Sequence, residues 1–252
     1  MVQSQSFVRS VEVSDDRIPC VILYTDRQLR DIKSFCFDAR RGSVLGFDKT
    51  FNLGSMYVTV STYQNLALNR SATGNTPAFF GPMFIHGKSD ADTYNKFFSR
   101  LASKLQDMDF HQLRLGLDDE YAMRKSLKFC FSGASLLACS RHLKTNTQHC
   151  AVEAGVSPAL RSDVLNSLFG DEGLVSCGDV AQFECAIDRL HTKLLTLQMP
   201  DKLRTYVSNR IVNFLRDNVT AGCHGWTNNA CESLNLTLKS CPVATPQVAG
   251  SD

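Results

Sequence analysis

The amino-acid sequence predicts an α/β fold: a mixed β-sheet flanked by helices, with a helical insertion before the last core helix. Three observations carry that expectation. Three strand-like runs follow one another between Ser43 and His86. Helical and strand-like periods then alternate as far as Cys139. From about Ser157 the apolar residues recur mainly at helical spacing. A chain of 252 residues, 43% hydrophobic and 21% charged, can bury a sizeable core in one large domain or a domain with an insertion.

Residues 1–42 read as an N-terminal lead-in, with one short apolar run, Cys20-Val-Ile-Leu-Tyr24, and a polar helical stretch through Leu29 and Ile32. The core is expected over residues 43–240. Its first strands are Ser43 to Phe47, Met56 to Tyr63 and Phe79 to His86, separated by Asn52-Leu-Gly54 and the turn-rich Ser71-Ala-Thr-Gly-Asn-Thr-Pro77. The period then changes: Tyr94, Phe97, Phe98, Leu101 and Leu105 mark a helix, with Ser89 or Asp90 as its N-cap. A strand from Gln112 to Leu117 runs into Asp118, followed by a helix from Glu120 to Phe129 and a strand from Ser135 to Cys139. The insertion is expected at about residues 152–222. Ile187, Leu190, Leu194 and Leu197 form one stripe there, and Leu203, Tyr206, Val207, Ile211 and Phe214 a second one, entered through Pro200-Asp201. Gly170 to Gly178 reads as loop. A final helix covers about Thr227 to Leu238, and residues 241–252 read as a flexible tail.

Three consecutive strands can form a meander, whereas the later strands need crossover helices to join it in parallel. This is the ribonuclease H-like order.

Composition excludes several classes. A formal charge of +2 is far below that of a dedicated basic DNA-binding module, although it leaves a nucleic-acid partner open. No uncharged apolar stretch reaches the ~18 residues that suggest a membrane span. Met1 to Ser10 lacks the apolar core of a secretion signal, so the ten cysteines read as reduced thiols of a nuclear or cytoplasmic protein that is not secreted.

The chemistry is concentrated in three acids far apart in the chain. Asp48 follows the apolar run Val44-Leu-Gly-Phe47, Asp118 ends its strand, and Glu232 lies near the start of the last helix behind Asn228 and Asn229. Each has an ordinary structural reading: a turn for Asp48, a helix N-cap for Asp118 or Asp119, and a dipole-stabilised helix start for Glu232 capped by the two amides. Together they suit two Mg²⁺ ions about 3.5–4 Å apart, which serve phosphodiester cleavage and prefer carboxylate oxygens.

At these residues the chain resembles the transposases of Mutator-like elements (MULE), of the DDE group with a ribonuclease H-like core. The motifs are Val44-Leu-Gly-Phe-Asp-Lys-Thr-Phe-Asn-Leu-Gly54, Gly116-Leu-Asp-Asp-Glu120, Cys139-Ser-Arg-His142 and Thr227-Asn-Asn-Ala-Cys-Glu-Ser233, within a match from about Cys20 to Lys239. The resemblance implies a catalytic triad of Asp48, Asp118 and Glu232 binding two Mg²⁺ or Mn²⁺ ions. It also implies DNA partners (transposon ends and target), DNA cleavage followed by strand transfer, and a possible homo-oligomer. Cys139 and His142 correspond to the family's Cys-x-x-His element and, with Asn228 and Asn229, are expected to shape the site. The chain departs from the family's Thr-Asp-Gly-Glu pattern at Asp119, which becomes a further possible ligand. The family's upstream zinc-binding DNA-recognition domain and downstream zinc knuckle are not in this sequence, which reads as an isolated core or a fragment. A decayed or domesticated fragment that binds DNA or protein, and a ribonuclease H-like nuclease outside transposition, are the alternatives.

Cys139-x-x-His142 with His149-Cys150 also invites a zinc reading. Because the group is compact and partly on an expected strand, a core or site-shaping role is preferred. Trp226, the single tryptophan, is expected to be buried at the entry of the last helix, with base stacking as the alternative. Arg124, Lys125, Lys128, Arg141 and Lys144 either reach backbone phosphates or form a solvated helix face.

Overall fold

The computed structural model describes residues 6–13, 19–38, 40–53 and 56–240. The expected tail at 241–252 and Gly54 of the first hairpin turn lie outside the described residues. The strands are β1 (Val8–Val13), β2 (Pro19–Leu23), β3 (Leu45–Leu53), β4 (Met56–Gln64), β5 (Ala78–His86), β6 (Arg114–Leu117) and β7 (Ser135–Ala138). They form one mixed sheet in the order β1-β2-β5-β4-β3-β6-β7. β3, β4 and β5 make an antiparallel meander, and β6 and β7 add in parallel beside β3, as the strand order predicts. The α/β class with helices flanking a mixed sheet is therefore present, in an arrangement compatible with the ribonuclease H-like fold. The lead-in segment also contributes to the sheet: β2 pairs with β5, and β1 with β2.

Helix α1 (Asp26–Cys36) begins with a capping box in which Thr25 and Gln28 satisfy each other's backbone N–H groups. Helix α2 (Ala91–Lys104) starts at Asp90, whose carboxylate accepts from the Thr93 N–H at 2.8 Å. With α3 (Tyr121–Cys130) these helices cover one face of the sheet. Leu45, Phe47, Leu115 and Leu117 point into this face, where they join Ile32, Phe84, Phe97, Phe98, Leu101 and Leu127 in a fully buried apolar core. The Phe47 ring meets Phe98 edge-on at 5.1 Å and Phe97 at 6.4 Å. At about 1.5–3 kcal/mol for each buried Leu or Phe, this face is a principal source of stability.

Helix α4 (Ser140–Glu153) leads into the helical block of α5 (Pro158–Phe169), α6 (Val180–Thr196), α7 (Asp201–Tyr206) and α8 (Val212–Thr220). A π-helical turn, Val207–Ile211, joins α7 to α8. The expected stripes are buried in a second apolar core, in which Ile187, Leu190 and Leu194 pack with Leu203, Val207 and Ile211. The block is fastened to the sheet by a buried amide. Asn218 of α8 accepts from Ala138 N–H at 2.9 Å and donates to Ala138 C=O at 2.8 Å, closing the backbone of β7. Helix α9 (Asn229–Ser240) then returns to the sheet.

Candidate functional site

Alternation along β3 and β6 creates the second face. Gly46 and Gly116 are register partners in the parallel pair, so Asp48 and Asp118 stand two residues beyond a shared rung. Asp48 lies inside β3 opposite Val60, which corrects the expected position at a strand end and removes the turn reading. The residue before α3 is Glu120, and its side chain makes no capping bond; Asp118 and Asp119 therefore do not cap that helix.

The two glycines let the approach to α9 settle on the sheet. A β-carbon on Gly116 would collide with the Trp226 indole, and one on Gly46 would sit 3.1–3.2 Å from Cys231 Sγ, Thr62 Oγ1 and Asn228 Oδ1. Trp226 C=O also accepts from Ser140 N–H at 2.9 Å, and Cys231 Sγ lies 2.8 Å from Thr62 Oγ1. These contacts hold the first turn of α9, and Glu232 with it, above Asp48 and Asp118.

The carboxylates are then joined by other side chains. His142 Nδ1 is 2.9 Å from Asp118 Oδ1, and its Nε2 is 3.9 Å from Glu232 Oε1, so one imidazole spans two of the three acids. The Nδ1 contact is close but not aligned as a hydrogen bond, so its attraction is chiefly ionic. Arg141 Nη1 lies 2.7 Å from the other Glu232 oxygen. Asn235 Nδ2 donates to Asp48 Oδ2. Asn228 Nδ2 donates to Asp118 Oδ1 and to Phe47 C=O, each at 3.2 Å. The Asn228 amide therefore bridges β3 and β6; the expectation that its side chain caps α9 does not hold, and its Oδ1 is buried without a partner. Asn229 opens α9.

The charges are coupled. Burial first, then the neighbouring Asp118 and to a lesser degree Glu232, push the Asp48 carboxyl up to about 6, against the opposing pull of Asn235 and His142. Asp118 and then Cys139 hold a proton on His142, raising it to about 10. Burial also raises the Cys231 thiol.

Among the described residues, Asp118, Cys139 and His142 form a group able to hold a metal ion, with ligand atoms all within 4.8 Å of one another. His149 and Cys150, on a later turn of α4, do not join it. Asp119 faces the helical block, where Arg210 grips both carboxylate oxygens at 2.7 and 3.1 Å. Glu120 pairs with Lys49 at 2.9 Å and accepts from Tyr94 Oη–H at 2.9 Å. Of the candidate phosphate contacts, Arg124 is turned inward over the Phe214 ring at 4.3 Å, whereas Arg141 stands at the site.

Two features escaped sequence reasoning. Asn235 lies three residues after Glu232 and so shares its helix face, a spacing that could have found it. Isolated glycines in the strand patterns of β3 and β6 mark a close approach, but only the parallel register shows that they act as a pair. Neither the protein-family models nor the curated proteins compared with this chain match it. No helix among the described residues is long and apolar enough to cross a membrane.

Proposed function

We propose that this chain is a DNA-cleaving and strand-transferring core of the Mutator-like transposase type. The observation that carries the reading is the convergence of Asp48, Asp118 and Glu232 from two parallel strands and a returning helix: His142 contacts Asp118 and Glu232, and Asp48 is coupled by charge to all three. A ribonuclease H-like strand order supports it. The three acids offer hard oxygen donors that fit Mg²⁺ or Mn²⁺. When bound, two such ions would activate the attacking oxygen and stabilise the leaving oxygen of a phosphodiester.

The chain's own residues prepare the site. Asn235 and Asn228 fix the orientation of Asp48 and Asp118. With its carboxyl near 6, Asp48 is mostly ionised at neutral pH and its charge is available to a cation. The imidazolium of His142 offsets part of the negative charge, and Arg141, with its side chain 64% exposed, is placed to exchange Glu232 for a phosphate. The partners would be transposon-end and target DNA, in an oligomer and in the nucleus.

The test is nicking of supercoiled plasmid DNA by the purified chain with Mn²⁺ or Mg²⁺. Metal-dependent nicking that falls to background in Asp48→Asn supports the reading; an Asp48→Asn protein that cuts as fast as the parent contradicts it. Preferential cleavage of an RNA–DNA hybrid would instead indicate a ribonuclease H-like nuclease. One observation favours a second reading, a fold retained for DNA or protein binding: Arg141, His142 and two amides already occupy the carboxylates. The same assay separates the two, since a binding module shifts DNA in a gel without nicking it.

A further inference from the structure

We propose that Asp118, Cys139 and His142 form a site for a borderline divalent ion, Zn²⁺ or its spectroscopic substitute Co²⁺, separate in chemistry from any all-carboxylate Mg²⁺ site. The three side chains present an oxygen, a sulfur and a nitrogen whose ligand atoms already lie within 4.8 Å of one another. A tetrahedral Zn²⁺ with bonds of about 2.0–2.3 Å keeps its ligand atoms about 3.3–3.8 Å apart, so the Asp118–His142 pair, now 2.9 Å apart, opens slightly, and no pair has to close by more than about 1.5 Å. A thiolate and an imidazole select Zn²⁺ over Mg²⁺, which prefers oxygen.

The local fold explains why these atoms converge. Cys139 follows β7 and immediately precedes α4, and His142 lies in the first turn of that helix, so the Cys-x-x-His spacing brings both side chains to the C-terminal end of β6, where Asp118 emerges. An independent feature points to a ligand: His142 Nδ1 is buried with no aligned hydrogen bond, although it faces Asp118 Oδ1 at 2.9 Å. A metal would use this nitrogen. The opposite ring nitrogen faces Glu232 Oε1 at 3.9 Å, beyond hydrogen-bond distance, so the carboxylate favours a proton on that nitrogen by its charge and leaves Nδ1 to the metal. Cys139 Sγ accepts from the Asn228 N–H at 3.3 Å, a bond that persists when metal binding releases two protons to solvent, one from the thiol and one from the His142 imidazolium. Three protein ligands leave the fourth position of a tetrahedron to water, the pattern of an open zinc site rather than a closed structural one. Because Asp118 belongs to both sets, a borderline ion held here would compete with Mg²⁺ for it. The proposal itself rests on Cys139 and His142 and stands whether or not the chain cuts DNA.

The test is titration of the full, metal-free chain with Co²⁺ under reducing conditions, followed by absorption. One equivalent should produce a thiolate-to-cobalt charge-transfer band together with the intense visible bands of four-coordinate Co²⁺, and Zn²⁺ should bleach both. Cys139→Ser, a near-isosteric change, should abolish the charge-transfer band, and His142→Ala should lose tight binding. Glu232→Gln should weaken affinity by about 10–100-fold. Cys185→Ser, at an exposed thiol of the helical block, should change nothing. Circular dichroism would confirm that each variant is folded. Absence of a thiolate band, its persistence in Cys139→Ser, or unchanged affinity in His142→Ala overturns the proposal.

Discussion

The two faces of the sheet are built from alternate residues of the same strands, yet they are held by different forces. Leu45, Phe47, Leu115 and Leu117 enter a predominantly apolar core under α1, α2 and α3. Gly46, Asp48, Gly116 and the adjoining Asp118 meet Trp226, Asn228, Cys231 and Asn235 on the other side. The first face gains from area and tolerates changes of shape that keep volume. The second depends on a few directed contacts, in which the loss of one partner leaves a buried polar group unpaired. The difference shows how a single strand serves stability with its odd-numbered residues and a candidate site with its even-numbered ones.

Three substitutions can break or sharpen this contrast. The largest effect is expected on the apolar face: Phe47→Ala should cost about 3–5 kcal/mol, read as a lowered urea midpoint. A loss below about 1 kcal/mol would deny that face its role. On the polar face, Gly116→Ala should cost about 1–3 kcal/mol, because the added carbon displaces the Trp226 ring. As Trp226 is the single tryptophan, its fluorescence should shift in the same variant, and unchanged emission and stability would contradict the close approach.

The smallest change should have the opposite sign. The Asp48 carboxyl is raised from 3.8 to about 6, so folding favours its protonated form. Its stabilising contribution is fully present below 3.8 and is lost as pH rises through about 6. Asp48→Asn, which mimics the protonated acid, should therefore be more stable than the parent above pH 6, on the order of 1 kcal/mol or about 2–4 °C in Tm. The gain should vanish below about pH 4, where the parent is protonated too. A thermal melt series across this range that shows destabilisation at every pH would place Asp48 among ordinary paired carboxylates.

Much of the fold is legible in the sequence because its signals are local. The phenylalanines of α2 recur at helical spacing, Asp90, one of two candidate caps, caps that helix, and the meander followed by crossover strands dictates the sheet order. The pairing of β1 with β2, and of β2 with β5, is less legible, since residues 1–42 carry only one short apolar run. The positions of Asp118 at a strand end and of Glu232 in the first turn of the last helix are legible, whereas Asp48 lies inside β3 rather than at its end, and the surroundings of all three are not legible. Asn228 reaches Asp118 across 110 positions, and Asn235 reaches Asp48 across 187. No local period encodes such contacts. The same holds for Arg210, whose grip on Asp119 draws that acid toward the helical block.

The central claim is that the acids on the polar face act on a shared cation, and calorimetric titration of the folded chain with Mn²⁺ tests it most directly. Saturable binding in the parent should be lost in both Asp48→Asn and Glu232→Gln, although these residues come from opposite ends of the chain, and should survive in Cys139→Ser. If Asp48→Asn and Glu232→Gln titrate like the parent, the three carboxylates are neighbours without a common ion, and the claim fails.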